Sequence, residues 1–357
     1  MDDMVRLPFS VLPKKSLGVD IGTSAIRVVE LSGRKGRVKL ENYGEIKTLI
    51  LPKKPFRMFE RDALLLATQN ISQSLEELLK TANIKSKRVS FSIPDFSTFF
   101  TTIEFPQMER KELEEAVKYE ARRHVPLPLS EVVLDWQSID EELPLEKRRK
   151  IRVLLVAVPR GVIEQYKSTA QAAKLELSSL EAEVFSLIRA LRGDLTQITA
   201  VIEIGAQSTT VSIIEGEVLR TTHSFDVSGN ELTQILSRSL EINYNEAEIL
   251  KKMKGIKSEG AVKEALIPLI DLISTETKRV FRDFTRREGK DVEKVVLAGG
   301  TALLPGLKDY LVKQLKKEMV IANPFKEFLY PEILEETLQD LGPAFAIAAG
   351  IAKRGLE

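Results

Sequence analysis

The sequence predicts an α/β protein whose two halves share one plan. The first observation is a motif in which an apolar strand ends in an acid, turns at Gly and small residues, and continues as a second apolar strand. The motif occurs twice, at 19–26 and at 202–211. The second observation is that strand patterns and amphipathic helix patterns follow one another along most of the chain. A chain of 357 residues buries a large core, and domain-size statistics indicate two or three units.

The pattern of the first half predicts its elements in order. Strands are predicted at 17–21, 25–31, 38–46, 88–93, 98–105, 132–138 and 151–158, and helices at 61–83, 110–124 and 160–174. Two prolines in 125–129 end the second of these helices. A charged loop is expected at 140–150. We interpret 15–195 as the first domain and 86–160 as a small α+β subdomain inserted within it.

The second half, 196–357, is interpreted as a second domain. Strands are predicted at 199–204, 217–225 and 295–298, and the last of these runs into Gly299, Gly300 and Thr301. The stretch 245–288 is mostly helical and highly charged, which indicates a helical subdomain. A closing helix at 342–353 is rich in Ala and Gly, so that it is expected to pack tightly against a facing helix.

Composition excludes several classes of protein. The formal net charge is +1 with acids and bases intermixed, so no nucleic-acid-binding surface is expected. The absence of Cys removes disulfides, iron–sulfur clusters and thiol nucleophiles. The two histidines, His124 and His223, lie too far apart in sequence to suggest a metal site or a catalytic triad. The sequence also lacks both a signal peptide and the run of about 20 apolar residues that a membrane span needs, so a cytoplasmic protein without direct membrane insertion is expected.

The two turns have the composition of phosphate-binding loops. Gly lets backbone N–H groups approach a phosphate closely, and Ser or Thr adds hydroxyl donors. We call Gly22, Thr23 and Ser24 the first turn, and Gly205, Ala206, Gln207 and Ser208 the second turn. Asp20, the acid before the first turn, lies where a hydrated Mg²⁺ would meet the phosphates. Two facing turns are expected to hold the phosphate tail of a nucleotide from both sides.

These features together resemble the actin, Hsp70 and sugar-kinase superfamily. Within it, the stretch 89–135 is similar to the inserted subdomain of the PilM and FtsA families, and the opening 15–22 is similar to PilM. FtsA proteins end in a membrane-binding helix after a linker, whereas this sequence stops soon after 350–353, which favours the PilM family of type IV pilus assembly. The resemblance implies an actin-like (ribonuclease H-like) two-domain ATPase fold with an inserted FtsA/PilM-type α+β subdomain.

The resemblance also implies a site for ATP and Mg²⁺. Its phosphates would meet the two turns, and Asp20 would orient Mg²⁺ through water. The remaining implied contacts are Gly299, Gly300 and Thr301 on the nucleoside, Glu248 and Lys251 on the ribose and base, and Glu183 on the attacking water. An ordinary solvated helix surface is the alternative for Glu183, Glu248 and Lys251.

One position departs from the superfamily pattern. Glu203 stands where most members have Asp, and its extra methylene would displace a metal-bound water by roughly the 1 Å that can cost about a hundredfold in rate. Asp20, Glu183 and Glu203 are the catalytic candidates. ATP binding is expected to survive this departure, and hydrolysis is expected to be slow.

The implied partner is a single-span inner-membrane protein of the PilN type. Its cytoplasmic N-terminal tail would lie in a groove between the first subdomain and the insert, with candidate residues in 86–135, and such capture suits a linear peptide with apolar anchors. Other pilus platform proteins are further expected partners, and self-association stays open. The partner would recruit the protein to the inner face of the cytoplasmic membrane.

Other functions stay open at this point. A small-molecule kinase or an exopolyphosphatase of the same superfamily would share the first turn. However, no catalytic Asp for a sugar kinase and no basic groove for polyphosphate stands out. A scaffold with an inactive nucleotide site is a third interpretation. The sequence does not separate a type IV pilus from the related type II secretion platform.

Overall fold

The computed structural model describes residues 14–34, 37–47, 57–60, 63–139, 150–257 and 259–357. The strands are β1 (Lys14–Ile21), β2 (Ala25–Arg34), β3 (Arg37–Lys47), β4 (Arg57–Glu60), β5 (Ala63–Leu66), β6 (Arg88–Ile93), β7 (Phe99–Pro106), β8 (Val132–Ser138), β9 (Lys150–Pro159), β10 (Glu176–Ala182), β11 (Thr199–Ile204), β12 (Thr209–Glu215), β13 (Val218–Phe225), β14 (Lys294–Ala298) and β15 (Glu318–Ile321). The α-helices are α1 (Thr68–Thr81), α2 (Arg110–His124), α3 (Arg160–Ala172), α4 (Glu183–Ala190), α5 (Gly229–Ser239), α6 (Tyr244–Lys254), α7 (Ala261–Glu288), α8 (Leu307–Leu315) and α9 (Glu335–Arg354).

Two five-stranded sheets repeat one topology. The first sheet has the order β10-β6-β1-β2-β3 and the second the order β15-β14-β11-β12-β13. In each sheet two antiparallel strands form a central hairpin, β1–β2 in the first and β11–β12 in the second. A third antiparallel strand pairs with one edge of the hairpin, and parallel strands pair with the other edge. The central strands of both are buried almost throughout, which is typical of sheets covered on both faces. The predicted duplication of the two halves therefore appears as two equivalent sheets.

A third sheet is separate from these two. It has the order β7-β9-β8 and packs with α2 around its own apolar cluster, which includes Ile103, Val117 and Leu155. We call this part, within 99–159, the insert. Strand β6 pairs with β1 and β10, so it lies in the first sheet. The domain limits proposed from the sequence stay predictions.

Helix α9 joins the two large sheets. A methyl group built at Gly18 would lie 2.3 Å from the backbone nitrogen of Ala352, and one built at Gly350 would lie 1.8 Å from the carbonyl oxygen of Ser186 in α4. Toward the second sheet, the N–H of Gly299 donates to the carbonyl of Pro343 at 2.9 Å. The small residues of α9 therefore allow one helix to contact both halves at backbone distance, as their composition predicts.

The structure differs from the predicted elements in four places, one of which is the unpredicted strand β10. The helix expected at 61–83 begins only at Thr68, and β4 and β5 form a short antiparallel hairpin before it. The run Ala63–Leu66 consists of apolar residues only, so it has no periodicity that would distinguish a strand from a helix. Strand β15 was not predicted, and α9 begins at Glu335 rather than 342. The predicted loop at 140–150 lies outside the described residues except for Lys150. Among the described residues no helix combines the length and the apolar character that crossing a membrane requires.

Candidate functional site

The two turns face each other across the junction of the two large sheets. The hydroxyl of Thr23 donates to the side-chain oxygen of Gln207 at 3.1 Å. Both turns close in the same way, because the N–H of Gly22 donates to the carbonyl of Ala25 at 2.9 Å and that of Gly205 donates to the carbonyl of Ser208 at 3.0 Å. The structure thus brings together two loops that are 184 positions apart in the sequence.

Asp20 lies at the carboxyl end of β1 and is almost completely buried. Its Oδ1 accepts a hydrogen bond of 3.0 Å from the hydroxyl of Ser92 on the parallel strand β6. Its Oδ2 is 3.8 Å from a guanidinium nitrogen of Arg27. The carboxylate is thereby fixed beside the first turn, at the strand edge where ligands bind in α/β sheets.

Arg27 is a site residue that the sequence reasoning missed. It lies opposite Asp20 across the β1–β2 hairpin and opposite Glu45 across the β2–β3 pair. Its guanidinium is 2.8 Å from Glu45 and stacks 5.9 Å above the ring centre of Phe345. Burial alone would raise the pKa of Glu45, but the charges of Arg27 and Lys47 lower it. The available signal was the register of the hairpin, which places a cation directly beside the acid.

The surroundings of Arg27 fit an anion. Its Nε is buried without a hydrogen-bond partner among the described residues, and only 14% of the side chain is exposed. A methyl group built at Gly300 would meet only the Arg27 guanidinium, at 4.0 Å, and one built at Gly22 would lie 3.9 Å from it. Space therefore remains between this cation and Gly300 of the second half, whereas a methyl group at Gly22 would lie 2.9 Å from the carbonyl oxygen of Ala25. A phosphate group carries the acceptors that such a guanidinium needs.

The second turn is supported by α5 and by the loop after β14. The N–H of Gly229, the first residue of α5, donates to the carbonyl of Gly205 at 2.9 Å, and the N–H of Thr301 donates to the carbonyl of Ile204 at 3.3 Å. Gly299 has a φ of +88°, and a methyl group built there would lie 2.5 Å from a carboxylate oxygen of Glu203. Only glycine adopts this backbone conformation without strain. The Gly299–Thr301 segment therefore packs on the end of β11, directly before the second turn.

Glu248 and Lys251 form a buried cluster beside Gly229. The Lys251 ammonium donates to the Gly229 carbonyl at 2.8 Å and to the Thr233 hydroxyl at 2.7 Å, and is 2.7 Å from Glu248. Burial lowers the pKa of Lys251. Burial would raise the pKa of Glu248, but ion pairing with Lys251 and hydrogen bonds from Lys251, Lys252 and Thr233 hold it at about 2. The alternative that these two residues lie on an ordinary solvated helix surface therefore does not apply. Both connect α6 to the second turn through Gly229.

Glu183 begins α4 and is buried at the carboxyl end of β10. Its carboxylate accepts from the backbone N–H of Asp95 at 3.3 Å, and the carboxylate of Asp95 accepts from the N–H of Val184 at 3.1 Å. This reciprocal pair fixes two buried acids at neighbouring strand ends. Asp95 carried no pattern of its own in the sequence and was missed.

A separate groove of about 720 Å³ lies on the other side of α4. Its walls come from β8 and β9 of the insert, from β10 and α4, from the β12–β13 turn and from the end of α9. Representative lining residues are Val133, Val156, Leu180, Phe185, Arg189 and Val218. The lining combines apolar side chains with the ion pairs of Arg189 with Glu181 and of Arg192 with Glu217, both at 2.7 Å.

Comparisons with known proteins agree with this architecture. A family model described as "Type IV pilus assembly protein PilM" matches residues 18–356. A solved structure described as "PilM-PilN type IV pilus biogenesis complex" is similar with a TM-score of 0.83 and 27% identity, over 96% of this chain and 98% of that chain.

More distant relatives share the fold. FtsA of Streptococcus pneumoniae serotype 2 (strain D39 / NCTC 7466), a cell division protein, is 23% identical over 330 residues, which are 81% of this chain and 71% of FtsA. The structure of MreB 5 of Spiroplasma citri bound to AMPPNP has a TM-score of 0.50 and 13% identity, over 91% of this chain and 97% of that chain. The actin-like α/β fold expected from the sequence is confirmed.

Proposed function

The chain belongs to the PilM family of type IV pilus assembly proteins, and on this premise we propose that it is a cytoplasmic ATP-binding protein that docks on the tail of an inner-membrane partner. The observation that carries the nucleotide part is the meeting of the two turns, joined by the 3.1 Å hydrogen bond from Thr23 to Gln207. The similar structure of MreB 5 holds AMPPNP, which supports a purine nucleotide as the ligand.

Residues from both halves of the chain would contact the nucleotide. The first turn and Arg27 would hold the phosphates from one side, and the second turn would hold them from the other. Gly299, Gly300 and Thr301 would contact the nucleoside, with Glu248 and Lys251 supporting the second turn from behind. Asp20 would position Mg²⁺ through a water molecule. When bound, Mg²⁺ would neutralise charge on the phosphates.

Slow turnover is the expected catalytic behaviour. Glu183 and Glu203 are the acids available to position a water, besides Asp20. The carboxylate of Glu183 accepts a hydrogen bond from the N–H of Asp95, whose own carboxylate accepts one from the N–H of Val184. The carboxylate of Glu203 lies beside the second turn, 3.3 Å from a methyl group built at Gly205, and its extra methylene relative to Asp would displace a metal-bound water. The site is therefore better suited to retaining ATP than to releasing its phosphate quickly.

The groove beside α4 is the proposed site for the partner's tail. Its lining includes the apolar side chains of Val156, Phe185 and Val218, which suits a peptide that binds through a few apolar side chains. The similar solved structure is a complex of PilM with PilN, which supports a PilN-like tail as the occupant. Docking on such a tail would recruit the protein to the inner face of the cytoplasmic membrane. Other platform proteins and copies of this chain are further proposed partners.

Two binding measurements test the proposal. Calorimetry with ATP and Mg²⁺ is expected to show one site per chain. Fluorescence anisotropy with a labelled peptide, copied from the cytoplasmic N-terminal tail of the PilN-like partner, is expected to show saturable binding that Val156→Asp in the groove abolishes. The absence of heat with any purine nucleotide would refute the nucleotide part. Tail binding that is unaffected by Val156→Asp would refute the location of the groove.

A further inference from the structure

The groove has a third wall that belongs to the second half of the molecule. Besides the insert and the first half, the lining includes Glu217 and Val218, at the turn between β12 and β13. Val218 is partly buried and packs against the same apolar cluster as Phe185 and Val156, which lie on the other two walls. A peptide that fills the groove therefore contacts all three parts.

The third wall is rigidly connected to the second turn. Strand β12 starts at Thr209, directly after the second turn, and ends at Glu215 beside the groove. Six residue steps at about 3.3 Å each span about 20 Å. At the groove end, the carboxylate of Glu215 binds Arg220 at 3.0 Å and Lys290 at 2.5 Å. One strand thus reaches both sites, and a rotation of the second half that moves the second turn also moves Val218.

The first half makes a similar connection through α4. Glu183 begins this helix at the cleft, and Arg189 lies in its last turn and lines the groove. Glu181, two residues before the helix, is buried against Arg189. The same short element therefore holds an acid at the nucleotide cleft and a charged pair at the groove.

The insert is tied to both halves. Its chain continues into the first half at both ends, and Arg152 on β9 pairs with Glu288 at the end of α7 at 2.7 Å, with about a quarter of each side chain exposed. Arg220 on β13 also donates to the carbonyl of Ile139 at 3.2 Å. If the insert moves with the second half, the distance between the insert and the wall formed by β10 and α4 changes. If the insert stays with the first half, the distance between the insert and Val218 changes.

We propose that Glu217 and Val218 make the affinity for the tail depend on the nucleotide in the cleft. The inference rests on the proposed function and names the wall that couples its two sites. The Arg192–Glu217 ion pair at the groove mouth does not lock this wall, because both side chains are about half exposed and such pairs contribute only about 0–1 kcal/mol. Coupling between two sites is reciprocal, so the tail must change nucleotide affinity by the same factor.

The experiment uses the full chain and the labelled tail peptide, without nucleotide and with AMPPNP and Mg²⁺. Wild-type protein is expected to bind the tail with Kd values that differ at least about fivefold between the two states. Val218→Asp is expected to weaken tail binding and bring this ratio close to one. The matched control Val133→Asp, on the insert wall, is expected to weaken binding in both states while the ratio persists. Circular dichroism verifies that both variants are folded.

The outcomes separate the two proposals. If the tail binds wild-type protein with one affinity in both states, or if Val218→Asp keeps the wild-type ratio, the coupling is refuted and the docking function stands. If the tail does not bind wild-type protein in either state, docking fails and the coupling fails with it. An AMPPNP affinity that saturating tail leaves unchanged would also overturn the coupling.

Discussion

The same substitution, Gly to Ala, is expected to have opposite effects at two helical positions. At Gly350 in α9 the added methyl would lie 1.8 Å from the carbonyl oxygen of Ser186, which is 1.6 Å short of the 3.4 Å where ordinary contact begins. The obstacle is backbone, so α4 and α9 have to separate. At Gly161 in α3 the methyl meets nothing within 4 Å.

The magnitudes follow from these distances. Overpacking a core typically costs 1–3 kcal/mol and occasionally more, and the Gly350→Ala overlap belongs at the upper end, about 3 kcal/mol. At about 2 °C per kcal/mol for a large domain, the melting temperature is expected to fall by about 6 °C. Gly161→Ala should instead gain roughly 0.5–1 kcal/mol from helix propensity, and its melting temperature should rise by about 1–2 °C.

Thermal unfolding followed by circular dichroism measures both variants under one set of conditions. A Gly350→Ala protein that melts within 1 °C of the wild type would show that α4 and α9 do not cross at backbone distance. A comparable loss in Gly161→Ala would show that the chain tolerates no change at helical glycines, and the comparison would then carry no information on the crossing.

Three further predictions concern the nucleotide site. Gly205→Val should abolish binding of a fluorescent ATP analogue, because the branched side chain fills the second turn. Arg27→Gln should weaken that binding about 10-fold to 100-fold, since hydrogen bonds to charged groups contribute about 1.5–3 kcal/mol, and Arg27→Lys should restore part of it. Glu248 has its pKa lowered from 4.5 to about 2, so wild-type protein should exceed Glu248→Gln in stability by about 2–3 kcal/mol above pH 4.5. That difference should vanish as the pH falls toward 2, as urea unfolding at several pH values would show.

Each of these has a matched control and a contrary outcome. Gly161→Val adds the same side chain in open space and should leave ATP-analogue binding unchanged. Equal affinities of wild type and Arg27→Gln would remove Arg27 from the phosphate site. A stability difference for Glu248→Gln that is the same at pH 3 and pH 7 would mean that the pairing with Lys251 does not hold the pKa of Glu248 low.

Much of the fold was predictable because local pattern determines which face of an element is buried. The predicted strands at 88–93, 132–138 and 199–204 match β6, β8 and β11 residue for residue. Both turns were recognisable from Gly and small residues alone. The pattern failed at 63–66, where an apolar run has no distinct polar face and pairing with β4 determined that it forms a strand.

The sequence by itself determined the two turns, the buried strands beside them and the small residues of α9. Only the tertiary structure decided what these elements face. Thr23 contacts Gln207, Arg27 lies beside open space at Gly300, and Val218 lines a groove whose other walls come from the first half, the insert and the end of α9. The physical reason is that periodicity describes burial within one element, whereas contacts between residues 184 positions apart depend on how closely α9 lets the two sheets approach.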